Sequence, residues 1–186
     1  MLQHTPISLI PLLSEHILML KNFAFDTKLW EFGLNKLSNV DQLEIYINDA
    51  LTNVENKNAI VWVIQMDKEI IGTTRLANID YNAKMAQLGW TWINQKYQGT
   101  KSNKISKYLI LQYAFEELNL NKIVLKTDAL NIISNKAIQS IGAKLETTLE
   151  NDLKTWRGNY RDTNVFSIYK NDWQTIKGEL LKKIDQ

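Results

Sequence analysis

The stretch from Met85 to Asp128 constrains the fold more than any other. It begins with "MAQLGWTWI", apolar and rich in residues that suit extended backbone, and passes into the polar "NQKYQGTKSN". A helix follows over 103–119, with Tyr108, Leu111, Phe115 and Leu118 near one face and Ile105 and Ala114 beside them. The short "NKIVLKTDA" then reads as another strand. Two strands joined in this way lie parallel and adjacent, because the crossover helix must pack back on the sheet.

The flanking segments supply antiparallel material. "AIVWVIQM" and "EIIGTTRLANI" form a hairpin across "DK", and a polar turn at Asp80–Asn82 leads into "MAQLGWTWI". Two helices precede them. "SEHILMLKNFAF" has Ser14 as a candidate N-cap, and "DQLEIYINDALTNVENK" has Asp41. After the crossover, "NIISNKAIQSIGAKLE" is a helix stopped by Gly142. "AKLETTLEND" and "RDTNVFSIYKNDW" pair across a "TWRGNY" turn, and a last helix starts with Asp172 as cap. The whole is a mixed α+β architecture, expected to be one domain over residues 1–186.

Composition narrows the function. A formal net charge of +2 with no basic run argues against nucleic acid. The absence of cysteine removes disulfides, thiolate zinc sites and a cysteine nucleophile together. His4 and His16 are isolated and no carboxylate cluster has ligand spacing, so no metal is expected. The N-terminus lacks a basic region before its apolar run, which His4, Pro6, Pro11, Glu15 and His16 interrupt, so no signal peptide is expected. No run approaches the ~20 apolar residues of a spanning helix. These features predict a cytoplasmic protein with no membrane partner, a monomer or homodimer.

The turn before the long helix carries the chemistry. The first turn of a helix presents unpaired N–H groups and a partial positive charge. Gly99 permits unusual backbone and close approach, Ser102 or Asn103 is available as cap, and Lys101 and Lys104 would favour an anion. The same turn also reads as an ordinary capped helix start with solvated lysines, since it holds a single glycine.

Three separated motifs tip that balance: "LGWTWINQKYQGTKSNK", "YAFEELNLNKIVLKTDALNIISNKAIQSIGAKLE" and "RGNYRDTNVFSI". With them the chain resembles the GNAT superfamily of acetyl-CoA-dependent N-acetyltransferases, most closely its RimJ/RimL-like branch. The resemblance implies a mostly antiparallel sheet of about seven strands with a parallel pair at its centre, flanked by helices. It implies coenzyme A, its pyrophosphate on the turn of Gln98, Gly99, Thr100, Lys101, Ser102, Asn103 and Lys104, and its pantetheine arm along Thr91, Trp92 and Ile93. Lys101 and Asn103 depart from the small residues of the family's signature. Asn131 and Ser134 match cofactor-contacting residues near the thioester, though Asn131 also fits an N-cap and Ser134 an ordinary first-turn serine.

The implied reaction is direct acetyl transfer to a primary amine, a protein N-terminus or a small amine. It needs a neutral amine, an oxyanion site and a proton for the leaving sulfur. Ser134 is the candidate proton donor, with Asn131 beside it. Where many relatives carry a glutamate base this chain has Gln87, and Asp128 is a possible substitute, or simply a turn residue. Trp30, Trp156, Arg157, Tyr160 and Arg161 are candidates for the acceptor side, Asp26 and Glu31 for its border, and Trp62 and Trp90 for the core. Arg161 and Asp162 read as an ion pair anchoring the last hairpin. The missing glutamate favours a rival reading, a non-catalytic acyl-CoA-binding module.

Overall fold

The computed structural model describes residues 1–185. Its strands are β1 (Leu2–His4), β2 (Ile7–Pro11), β3 (Ala59–Met66), β4 (Glu69–Asp80), β5 (Met85–Ile93), β6 (Lys122–Asp128), β7 (Lys144–Lys154) and β8 (Tyr160–Tyr169). The helices are α1 (Ile17–Ala24), α2 (Val40–Glu55), α3 (Ser102–Gln112), α4 (Ile132–Ser140) and α5 (Trp173–Asp185). One 8-stranded sheet runs in the order β1-β2-β3-β4-β5-β6-β8-β7. Among the described residues only β5 and β6 are parallel, as the crossover through α3 demands. No helix among the described residues is long and apolar enough to cross a membrane.

The sheet has eight strands, where the resemblance implies about seven and the sequence pattern marks six. The addition is the N-terminal hairpin β1–β2, whose prolines break up the sequence pattern. Neither proline obstructs pairing: Pro6 lies in the hairpin turn and Pro11 is the last residue of β2. Ile7 and Leu9 are fully buried.

Side chains alternate across the sheet and build a core on each face. Leu20, Leu43, Ile47, Val63 and Trp92 belong to the α1/α2 side. Ile110, Leu111, Phe115, Phe166 and Trp173 belong to the α3/α5 side. α3 ends in a π-turn over Tyr113–Glu117 that delivers the chain to β6.

Turns follow local chemistry closely. Asp67 and Lys68 both take positive φ in the β3–β4 turn, and Asp80 Oδ1 accepts from the Asn82 and Ala83 amides. Gly142, with φ +88°, follows α4 as its sequence position predicts.

The caps are less obedient. α2 is capped by Asn39, which accepts from the Gln42 amide, while Asp41 lies inside the first turn. Ser14 starts a short 3-10 turn in which the His16 ring accepts from the Leu13 amide. Asp172 ends a similar turn leading into α5, and its carboxylate pairs with Lys144. Arg161 and Asp162 do not pair, because neighbours in a strand point to opposite faces. Arg161 donates to the Phe32 carbonyl, and Asp162 accepts from the Asn151 amide.

Two glycine substitutions should move stability in opposite directions. A Cβ at Gly72 would lie 2.2 Å from the Trp92 carbonyl oxygen, whereas one at Gly178 in α5 meets nothing within 4 Å. Gly72→Ala should lose about 2 kcal/mol or more by overpacking β4 on β5. Gly178→Ala should gain roughly 0.5–1 kcal/mol from helix propensity. Urea-unfolding midpoints that fall in the first and rise in the second are the expected result.

Candidate active site

β5 and β6 stay paired for only three residues, Met85 to Gln87 against Lys122 to Val124. Beyond them β5 keeps its partner β4 as far as Ile93, and β6 keeps β8 as far as Asp128. The parallel strands therefore part at their carboxyl ends, and a cleft opens between them. A β-bulge lies in the parted stretch of β5. Arg75 opposes Gly89 and Thr73 opposes Trp92, so that Trp90 and Thr91 together face Thr74. Trp90 takes φ +49° and is 38% exposed, so the expectation that it belongs to the core is corrected. The bulge turns it outward, while Trp62 is buried as expected.

The turn after β5 stands at the mouth of this cleft. Gly99 has φ +74°, and no atom lies within 4 Å of where its Cβ would be. The turn is braced by its own side chains. Gln98 Nε2 donates to the Ile93 carbonyl (2.9 Å), and the Thr100 and Ser102 hydroxyls both donate to the Tyr97 carbonyl. The cap of α3 is neither Ser102 nor Asn103. Thr100 Oγ1 accepts from the Ser102 amide instead. Lys101 turns away from the site expected for an anion, and its ammonium donates to the Ile184 carbonyl at the negative end of α5. Lys104 remains half-buried beside the turn. Asn103 presents a buried Oδ1 that has no partner among the described residues.

The far wall is the end of β6 and the start of α4. Asn131 caps α4, its Oδ1 accepting from the Ser134 amide at 2.9 Å. The Ser134 hydroxyl makes no hydrogen bond among the described residues. Asp128 is buried, and its Oδ1 accepts from the Leu130 amide, the turn role that an aspartate at a strand end commonly takes. Asn135 ties this corner together through the Asp128, Ala129 and Asn131 carbonyls and through Asn164.

On the α1/α2 side, Trp30 is 6% exposed, donates to the Ala24 carbonyl and packs on Trp92 at 5.5 Å between rings. It is a core residue that anchors a wall. The Trp30 carbonyl accepts from the Trp156 indole (2.7 Å), and the Phe32 carbonyl accepts from Arg161 (2.9 Å), so the loop after Trp30 is stitched to the β7–β8 hairpin. Arg157 lies over the Trp156 ring at 4.9 Å. Burial pulls the Arg161 guanidinium below its ordinary range, with Asp128 and Asp152 opposing that shift. Gln87 closes the paired part of β5, its Oε1 accepting from Asn78. Tyr160 is 60% exposed at the outer end of β8, Asp26 caps a short turn by accepting from the Lys28 amide, and Glu31 is exposed.

Residues 7–144 match the model of the acetyltransferase (GNAT) domain family. The chain belongs to that family. This acetyltransferase is 26% identical over 149 residues to the Bacillus subtilis (strain 168) protein named "Putative ribosomal N-acetyltransferase YdaF", covering 80% of each chain. Among solved structures it is similar to Mycobacterium smegmatis RimJ in complex with CoA-disulfide (TM-score 0.84, 17% identity, 95% of this chain and 88% of that one). It is also similar to spermidine N-acetyltransferase from Vibrio cholerae in complex with CoA and spermine (TM-score 0.79, 20% identity, 92% and 99%). The family match takes in β5, the turn, α3 and α4, and ends where β7 begins; the β7–β8 hairpin lies beyond it.

One residue of the acetyltransferase's cleft escapes sequence reasoning. Lys107, in the second turn of α3, is buried, and its Nζ donates to Thr91 Oγ1 at 2.6 Å. Thr91 Oγ1 is also 2.8 Å from Thr74 Oγ1 and 3.2 Å from the Gly89 carbonyl. No carboxylate among the described residues pairs with the lysine, and burial brings its ammonium down to about 7. The available signal was positional. Lys107 follows Asn103 by four residues, so both lie on the helix face that runs from the turn into the cleft.

A buried lysine without a counter-ion ties stability to pH. The unfolded chain keeps that proton up to about pH 10.4. Between about 7 and about 10 it binds a proton that the folded chain does not, so the Lys107 contribution to stability rises with pH across this window and is flat below it. Lys107→Met should remove up to about 1.4 kcal/mol per pH unit of that slope. Denaturant unfolding of both proteins at several pH values checks this. Parallel stability–pH curves would show that the lysine is not held neutral.

Proposed function

We propose that this acetyltransferase moves an acetyl group from acetyl-CoA directly to a primary amine in a ternary complex, with no covalent enzyme intermediate. One observation carries the reading. A parallel pair parts at its carboxyl ends, and the strand that parts runs straight into a glycine turn and a helix N-terminus. That arrangement offers strand backbone for amide groups and helix N–H groups for a pyrophosphate on one continuous path. The open space at Gly99 fits a ligand of this kind.

The residues then take defined roles. Gln98, Gly99, Thr100, Ser102, Asn103 and Lys104 form the pyrophosphate turn, with Lys101 holding the end of α5. Thr91, Trp92 and Ile93 offer backbone groups to the pantetheine arm. Acetyl-CoA supplies the activated acetyl thioester. Backbone N–H groups at the bulge stabilise developing negative charge, and the Ser134 hydroxyl donates where sulfur gains charge, with Asn131 fixing the serine's helix turn. Asp128 borders the acceptor space at the end of β6, beyond the stretch paired with Gln87. A protein N-terminus and a small amine both suit a cleft walled by Asp128 and the Trp30–Trp156 contact. The relatives include a protein named for a ribosomal acceptor and one solved with spermine.

Incubating the protein with acetyl-CoA and a panel of spermidine, lysine and peptides with a free N-terminus, while following free thiol, tests the reading. Acceptor-dependent thiol release is expected. Tight acetyl-CoA binding without release from any acceptor would favour the non-catalytic binding module. Gly99→Val should weaken acetyl-CoA binding at least about tenfold by calorimetry, since the side chain fills the approach and strains a positive φ. Unchanged affinity in the folded variant would move the phosphate site elsewhere.

Ser134→Ala should lower kcat at least about tenfold, with less effect on the KM for acetyl-CoA, because its contact strengthens only as sulfur gains charge. Asn131→Ala should instead cost about 1 kcal/mol of stability through the lost cap. Wild-type turnover in Ser134→Ala would make that serine structural.

A further inference from the structure

The proposed reaction leaves one requirement unmet. An amine that arrives as an ammonium must lose a proton before it can attack, and Gln87 at the end of the paired stretch cannot take one. Asp128 spends Oδ1 on the Leu130 amide and faces Arg161. The cleft does contain a basic group, on the opposite side of β5.

We infer that Lys107, acting through the Thr91 hydroxyl, takes up the proton that the acceptor amine loses. This rests on the acetyl-transfer reading. The geometry supporting it is a short relay at the bulge. Thr91 lies in the parted stretch of β5, beyond the last pair with β6, and its Oγ1 is 2.6 Å from Lys107 Nζ. Thr74 Oγ1 holds the same oxygen from β4 at 2.8 Å. Lys107 is buried, and among the described residues this hydroxyl is its hydrogen-bond partner.

Among the described residues, no neighbouring charge gives the lysine a structural reason to be there. On α3, one turn earlier, stand Lys104 and the unpartnered Asn103 oxygen. On β4, Arg75 lies on the opposite face, engaged by Asp49 and the Tyr46 carbonyl. On β6, Thr127 shares the register side of Ile123 and Leu125, which pack with α3, while Asp128 takes the alternate side towards Arg161. From α5, Lys177 is held by Glu116, and from β1, His4 lies against Tyr108 and pairs with Asp185. Burial alone therefore sets the lysine's proton affinity, down to about 7, where a base can cycle at neutral pH.

The step balances without a further reactant. An N–H bond of the acceptor ammonium breaks as its proton passes to Thr91 Oγ1. The neutral Lys107 amine turns its lone pair to Thr91, whose hydroxyl leaves the Gly89 carbonyl, and the Thr91 O–H bond breaks as its proton passes to Lys107 Nζ. The amine becomes neutral, Thr91 is restored and Lys107 becomes an ammonium. Lys107 returns the proton to water after turnover.

The test uses the full chain labelled with ε-13C-lysine. The Lys107 resonance, assigned by its loss in Lys107→Arg, should titrate with a midpoint within about one unit of 7 while the other lysines stay near ~10. In the thiol-release assay, Lys107→Arg and Thr91→Val should each lower kcat/KM at least about tenfold and abolish the fall in activity below about pH 7. Coenzyme A affinity should stay within about threefold in both. Thr91→Ser, which keeps the hydroxyl, should retain activity and stands in if the valine variant does not fold. A Lys107 midpoint above about 9, or wild-type pH profiles in the variants, would overturn the assignment. Failure of every acceptor in the panel would overturn acetyl transfer itself, and this assignment with it. A Lys107 midpoint near 7 in that event would place the fault in the reaction and not in the lysine's protonation.

Discussion

From Leu88 to Ile93 the β5 backbone is paired on one side only. β4 follows it to the end, and β6 leaves after Gln87. An interior strand with a free edge is costly, because its N–H and C=O groups need partners. The remaining features of the molecule are arranged around that gap. The bulge at Trp90–Thr91 bends β5, and Gln98 supplies a side-chain donor to the Ile93 carbonyl at its end. The Asn131 cap and the Asn135 network hold the end of β6 to α4. These contacts keep the two strands apart in a fixed geometry, and a ligand rich in amides is the natural partner for what they expose.

The two faces of the sheet divide the work by chemistry. On the α1/α2 face the buried cation Arg75 has a carboxylate from Asp49, the Tyr46 carbonyl and the Tyr46 ring at 4.4 Å. On the α3 face Lys107 has a hydroxyl alone. A paired arginine is a structural element that stays charged. A lysine surrounded by apolar groups and one hydroxyl is poised to change its charge. The contrast between the two buried basic groups sets Lys107, on the α3 side of the bulge, apart from the structural arginine.

The α1/α2 wall of the cleft is built differently from the turn and helix walls. The turn, α3 and α4 are formed by contiguous chain, so their geometry is local. The α1/α2 wall joins residues about 130 apart: Trp30 with Trp156 and Phe32 with Arg161, both through backbone carbonyls. Because those carbonyls are present whatever the side chain, the contact constrains the hairpin's position more than the identity of residues 30 and 32. The hairpin also lies beyond the reach of the family match.

Local features were legible in the sequence because local physics decides them. The parallel crossover, the positive φ of Gly99 and Gly142, the Asp80 turn and the Asn131 cap each follow from residue type and near neighbours. Tertiary structure decided what those features face. It drew Lys101 to the carbonyl end of α5, 83 residues away, and it turned Trp90 out of the core through a bulge that pairing with β4 imposes. It placed Lys107 under Thr91, against the ordinary expectation that a lysine on a helix meets water. Periodicity assigns a residue to a face of its own helix. Which residues of other elements cover that face, and whether a counter-charge is among them, is fixed only when the sheet closes over it.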